Sequence, residues 1–243
     1  MDDLDARVRG AVRSFWRTRN RQAKLQGQTS GKKDYGSRGA VTGGMQIDGF
    51  IHLMADLLTE SGIKKNCIHF EKKLVVLPGW FRPTKEWDVL AVVDGTLLAV
   101  VEFKSQVGSF GNNFNNRTEE AIGNATDLLT AYREGAFKTS VRPWCGYFML
   151  LEDAPQSRTP VGVQEPHFPV FSEFRNSSYA DRYRIFCEKL IRERLYDAAC
   201  LILSEKKTGL RGNYGEPSEE IGFRNFAASL PAHAMAFVKF QRK

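Results

Sequence analysis

The sequence predicts an α/β protein, a mixed β-sheet flanked by helices, and two observations lead there. Amphipathic stretches at helical spacing alternate with β-branched and aromatic runs in the order helix, strands, helix, strand, helix, strand, an order that a sheet between helical layers accommodates. The run "TLLAVVEF" is apolar on both strand faces, as expected for a central strand covered on either side. At 243 residues, with 42% hydrophobic and 26% charged, the chain is long enough for one sizeable core. A single domain over residues 1–243 is therefore expected, with a basic helix and glycine-rich arm at 1–44, a core at 45–204, and a basic loop and helical segment at 205–243.

Residues 4–25 read as a basic helix, and "LQGQTSGKKDYGSRGAVTGG" as a glycine-rich arm with few large apolar residues. In "MQIDGFIHLMADLLTESG", Ile47, Phe50, Ile51, Met54, Leu57 and Leu58 fall at helical spacing before the stop signal Gly62. Strand signals follow from "CIHFEKKLVVLPGW" to "EWDVLAVVDGTLLAVVEFK", broken at Pro78-Gly79 and Asp94-Gly95. "NRTEEAIGNATDLLTAYREG" is a second amphipathic helix, capped at Asn116 with Glu119 three residues on. "PWCGYFMLLED" is a buried strand, and a proline-rich loop follows it. "SYADRYRIFCEKLIRERL" is a third helix, "DAACLILS" a further strand, and the last segment looks helical with a break at Pro231.

Lys plus Arg number 35 against 28 acidic residues, a net charge of +7 that suits a polyanionic partner. The excess concentrates between Arg7 and Arg38, where a solvated face explains it as well as a binding surface does. No apolar stretch approaches the ~20 residues of a membrane span, and the opening "MDDLDARVRG" lacks the apolar stretch of a signal peptide. A cytosolic protein with no membrane partner is expected. Cys67, Cys145, Cys187 and Cys200 are widely spaced, with no paired motif, and read as reduced core thiols rather than zinc ligands. Trp87 and Trp144 read as core.

The chemistry concentrates at "VVEFKSQ", where Glu102 and Lys104 leave an apolar strand together. The period of two puts them on one face with Val100 and Leu98, while Phe103, Val101, Ala99 and Leu97 line the other. Two similar pairs have plainer explanations: Glu71 and Lys73 in a more polar, edge-like strand, and Glu205 and Lys207 at the start of a loop. Asp88 lies on the partner strand of the hairpin, fourteen residues before Glu102. A two-residue Asp94-Gly95 loop would pair Val93 with Thr96 and Asp88 with Val101, turning the two carboxylates to opposite faces. A three-residue loop with Gly95 left-handed pairs Val92 with Thr96 and Asp88 with Val100, making the carboxylates diagonal neighbours. The bulged turn, or a compensating bulge elsewhere, is expected. Asp88 and Glu102, with the Phe103 carbonyl, would then offer hard oxygen ligands to Mg2+, and Lys104 would orient a water or offset developing charge in phosphodiester hydrolysis.

Asp88 followed by "VEFK" resembles the PD-(D/E)xK nuclease core, with Trp87 where many members have proline. The stretches "MQIDGF", "LPGWFRPTKEWDVL", "SFGNNFNNRTEEAIG" and "PHFPVF" are similar to the XhoI type of Type II restriction endonuclease, over roughly residues 40–190. The resemblance implies a homodimer in the bacterial cytoplasm that cuts double-stranded DNA at 5'-CTCGAG-3' after the first C, using Mg2+ and leaving 5'-phosphates. It also implies a companion DNA methyltransferase as a genetic partner. Asp48 matches a position where related nucleases hold a further acid near the metal; it reads equally as an exposed acid at a helix N-terminus. A palindrome is read most simply by a two-fold symmetric dimer. Its adenine and guanine edges call for Asn, Gln, Arg or Lys. Asn112, Asn113, Asn115 and Arg117 are the candidates, with turn chemistry an alternative for Asn112 and Asn113. Lys32, Lys33 and Arg38 in the arm, and Lys206, Lys207 and Arg211 in the later loop, are candidates for phosphate contacts. A structure-specific repair or junction-resolving nuclease on the same core, and a non-catalytic DNA-binding protein, are the competing functions.

Overall fold

A computed structural model describes residues 3–30, 44–138 and 140–241. Five strands form the main sheet in the order β1 (Ile68–His69), β4 (Val89–Val93), β5 (Thr96–Gln106), β6 (Trp144–Glu152) and β7 (Ala198–Ser204). β1 and β4 run antiparallel to their neighbours up to β5, while β5, β6 and β7 are parallel. The C-terminal ends of the three parallel strands therefore share one rim of the sheet. A separate two-stranded ribbon, β2 (Val76–Pro78) and β3 (Thr84–Glu86), leads into β4.

Period-two alternation divides the side chains of the sheet between two apolar layers. On one face Phe148, Leu150, Cys200 and Ile202 pack against α1 (Leu4–Ser30), α2 (Asp48–Glu60) and α5 (Phe223–Gln241). On the other, Tyr147, Met149, Leu151 and Leu201 pack against α3 (Phe110–Arg133) and α4 (Tyr179–Arg192). Helix α2 follows its sequence pattern: Phe50, Met54 and Leu58 are fully buried, each worth roughly 1.5–3 kcal/mol against exposure. Gly62 ends the helix region with φ +96°. Helix α1 docks through Val12, Phe15 and Trp16, and the Trp16 indole donates to Ser204 Oγ at 3.0 Å, on the rim of β7. Trp87 and Trp144 are core residues, and Cys145, Cys187 and Cys200 are buried free thiols, whereas Cys67 is half-exposed.

Four elements differ from the sequence expectation. Helix α1 continues to Ser30 rather than ending at 25. Helix α3 begins at Phe110, so Asn116 lies inside it and caps nothing; the buried Phe110 and the half-buried Phe114 pack on Tyr179 and Tyr183 of α4, recruiting two more turns. Pro231 sits within an unbroken α5. Phe226, Ala227, Leu230 and Ala234 bury one face on both sides of it, enough to offset the ~3 kcal/mol of an interior proline. Glu71 and Lys73 lie in a turn, not a strand. Among the described residues no helix is long and apolar enough to cross a membrane.

Candidate active site

The turn between β4 and β5 is the two-residue form, with Asp94 at φ +49° and Gly95 at φ +78° and Val93 paired with Thr96. Positive φ at both central residues matches the primed turn that suits twisted strands. The bulged turn is thus absent, and the compensating bulge is present instead. Val92 pairs with Leu97 but Ala91 with Ala99, leaving Leu98 as the extra residue of β5. The bulge turns Leu98 to the layer of Ala99 and Val101, and Leu97 to that of Val100. These two leucines have exchanged the faces that strict alternation assigns them. Beyond the bulge Val89 pairs with Val101, so continuation of the register sets Asp88 opposite Glu102 on one face.

Strand β4 starts at Val89, and Phe103 extends past its ladder. The Phe103 amide donates to Asp88 Oδ2 at 2.7 Å. A strand residue directs its N–H and C=O to the same side, so the Phe103 carbonyl also faces the side of Asp88. Glu102 is 1% exposed and has both oxygens engaged. Lys104 Nζ contacts Oε1, and Lys85 Nζ donates to Oε2 at 3.0 Å. Lys85 also donates to the Glu86 carbonyl at 2.7 Å and stands 4.6 Å from the centre of the Trp87 ring.

These groups adjoin a cavity of about 640 Å³ at the rim, lined by Asp48, Asp88, Phe103, Lys104, Asn113 and Arg117. Burial and then the Glu102 charge push the Asp88 carboxyl up to about 6, against the pull of Lys104 and the Phe103 amide. For Lys104, burial pulls the ammonium down, but the Glu102 and Asp88 charges outweigh it and hold the group above the usual lysine range. Asp48, the first residue of α2, is raised by burial, with His52 opposing.

Helical geometry explains which α3 residues reach the cavity. Asn113 and Arg117 lie four apart on one face and line it, while Asn112 and Asn115 are exposed elsewhere on the helix. The Asn113 amide donates to the Ser109 carbonyl at 2.9 Å. Arg117 pairs with Glu120 at 2.6 Å, and its buried Nε has no protein partner. Lys206 and Lys207 are exposed on a single helical turn beyond β7, beside a different, shallower depression, and Arg211 is exposed just after it. Lys32, Lys33 and Arg38 lie outside the described residues.

Sequence reasoning missed three residues at the site: Arg19 and Gln46, which line the cavity, and Lys85, which contacts Glu102. Arg19 of α1 lines the cavity, donating to Gln46 Oε1 at 3.3 Å, and Gln46 donates onward to Ser105 Oγ on β5 at 3.2 Å. No local signal in the basic run distinguished Arg19 from its neighbours. Lys85 was visible only as part of the "PTKEWD" motif; its contact with Glu102 depends on the ribbon. That ribbon is held to α3 by Asp127, which accepts from the Trp80 and Phe81 amides at 2.8 Å each and from Arg82 Nε at 2.7 Å.

The donor set suits a hard divalent cation. Among the described residues no group of three or more His, Cys, Asp or Glu gathers to form a closed metal cage. Two carboxylates at a rim instead leave coordination positions for water and phosphate, the usual arrangement for Mg2+ at phosphoryl sites. The buried Glu102, held by two ammonium groups, is a carboxylate that requires positive charge beside it.

The family model described as restriction endonuclease XhoI matches residues 26–216, a wider span than the motifs alone indicated. The chain is 53% identical over 212 residues to the Type II restriction enzyme BstVI of Geobacillus stearothermophilus, covering 85% of this chain and 94% of that protein. It is 50% identical over 167 residues to the Type II restriction enzyme AbrI of Azospirillum brasilense, covering 68% and 74%. It is 43% identical over 192 residues to the Type II restriction enzyme XhoI of Xanthomonas vasicola, covering 78% and 76%. No solved structure gives a significant match.

Proposed function

Since the chain belongs to the XhoI restriction endonuclease family, whose members are site-specific deoxyribonucleases, we propose that it cleaves CTCGAG after the first C on each strand, with Mg2+ held by Asp88 and Glu102. The observation that carries this reading is the β5 bulge at Leu98, which sets the two carboxylates opposite one another beside Lys104. The hexamer itself rests on the similarity to the Xanthomonas vasicola enzyme and on the motifs quoted above.

When bound, Mg2+ would polarise the phosphate and acidify a water. Asp88 is oriented for its part by the Phe103 amide, and the Phe103 carbonyl on the same side would offer a third oxygen ligand. Lys104 presents an ammonium to the attacking water or the developing phosphorane charge, a contact most valuable in a water-poor site. Asp48 is a further acid at the cavity wall. Arg117, Arg19 and Asn113 point this wall towards nucleic acid, the arginines for phosphate or guanine and the asparagine for adenine. Asn112, Asn115, Lys206, Lys207 and Arg211 stand on exposed flanks, and Lys32, Lys33 and Arg38 complete the proposed phosphate contacts. The palindrome calls for a homodimer, and host protection for a companion methyltransferase in the same bacterial cytoplasm.

A plasmid digest with Mg2+ and sequencing of the ends tests the proposal. Discrete fragments ending in 5'-phosphorylated TCGA overhangs are expected. Cleavage at another sequence would overturn the specificity, and cleavage without any divalent cation would overturn the metal site.

A further inference from the structure

The site contains a cation in contact with each oxygen of Glu102. Lys104 is one of them, from the same strand two residues on. The other, Lys85, comes from β3, outside the main sheet, and its side chain is 14% exposed. A metal ion that bonds to Glu102 must displace at least one ammonium group, because like charges at contact distance repel strongly where water is scarce. Both ammonium groups act on the Asp88 carboxylate, Lys104 the more strongly, so Lys104 is the less able to leave. Lys85 has two other partners in place: the Glu86 carbonyl and the face of the Trp87 ring. Its ammonium can withdraw from Glu102 and keep both.

We propose that Lys85 is an internal counter-cation that competes with the divalent metal at Glu102 and weakens metal binding to the DNA-free protein. Resting on the assignment of Glu102 as a metal ligand, the inference makes Lys85 a positioning residue, acting on the metal through the carboxylate they share. The competition costs the free protein affinity for the ion. Substrate phosphate supplies further metal ligands and restores occupancy, so the loaded site forms chiefly where DNA is present. The anchoring of the ribbon by Asp127 fits this role, because it fixes the reach of Lys85 to Glu102.

The test is calorimetric titration of the DNA-free, full-length protein with Mn2+. Lys85→Met keeps the aliphatic stem over Trp87 and removes the charge; it is expected to bind Mn2+ about tenfold more tightly, equivalent to roughly 1.4 kcal/mol. Lys85→Arg keeps a cation and is expected to bind as the wild type does. Lys85→Gln serves in place of Lys85→Met if the latter does not fold. Unchanged or weaker Mn2+ binding by the neutral variants would overturn the inference. Glu102→Gln separates the two claims: if it leaves wild-type Mn2+ affinity untouched, the metal site itself is misassigned, whereas loss of binding in Glu102→Gln with no gain in Lys85→Met condemns only the role of Lys85.

Discussion

Asp88 carries two demands that conflict in the absence of metal. It must be ionised to bind a cation, yet burial and the Glu102 charge raise its carboxyl to about 6. Below the ordinary aspartate value near ~3.9 the group is protonated both folded and unfolded and costs nothing. As pH rises from there to about 6 the unfolded chain ionises while the folded state still holds its proton, so stability falls by about 3 kcal/mol and levels off above 6. Asp88→Asn removes the titration while keeping an acceptor for the Phe103 amide. Denaturant unfolding without divalent cations should therefore find the two proteins similar at pH 4 and the variant more stable at pH 8; a wild-type stability flat across that window would contradict the account. Glu102→Ala and Lys104→Ala should each lower cleavage by orders of magnitude while low-salt DNA binding is largely kept, because these groups serve the transition state more than the duplex. Cleavage and filter-binding assays on the same preparations check the split. Asn113→Ala should cost ~1–3 kcal/mol of discrimination against related hexamers if it reads a base edge, measured by competing cleavage of single-mismatch sites.

The elements that place these residues were partly legible in the sequence. Glu102 and Lys104 could be read because a charged pair ending a doubly apolar strand is rare, and Asp88 because hairpin arithmetic demanded a bulge to bring it round. Which bulge formed was not legible. Asp94-Gly95 takes a two-residue turn well, so the extra residue moved to Leu98, where a leucine fits either apolar layer. The start of α3 was missed because "SFGNNFNN" is poor in helix formers, and only the packing of Phe110 and Phe114 on α4 makes it helical. Lys85 was missed because its partner is remote in sequence. Its ribbon depends on Gly79, where a β-carbon would stand 2.5 Å from Asp127 Oδ2 and 2.7 Å from the Arg82 carbonyl. Gly79→Ala should cost about 1–3 kcal/mol and also slow cleavage, since the ribbon runs directly into Asp88. Thermal unfolding alongside cleavage rates would show whether both change, as expected, or stability alone.

At the scale of the whole molecule, parallel β5, β6 and β7 bring their C-terminal ends to one rim, and the cavity, Arg19, Arg117, Lys206 and Lys207 all lie along it. A chain of net charge +7 that grips DNA along such a rim should lose affinity by about three or more orders of magnitude between roughly 50 and 200 mM salt. Two chains related by a dyad would offer two such rims to the two scissile bonds of a palindrome, and light scattering should report a particle of two 27.5 kDa chains. All of this turns on a divalent cation seated between the carboxylates of the hairpin. Crystals grown with Mn2+ and uncut CTCGAG duplex, measured at the manganese absorption edge, should show an anomalous peak within bonding distance of Asp88 and Glu102 and of a phosphate oxygen. Manganese bound elsewhere, with Lys85 and Lys104 still closed on Glu102, would contradict the account.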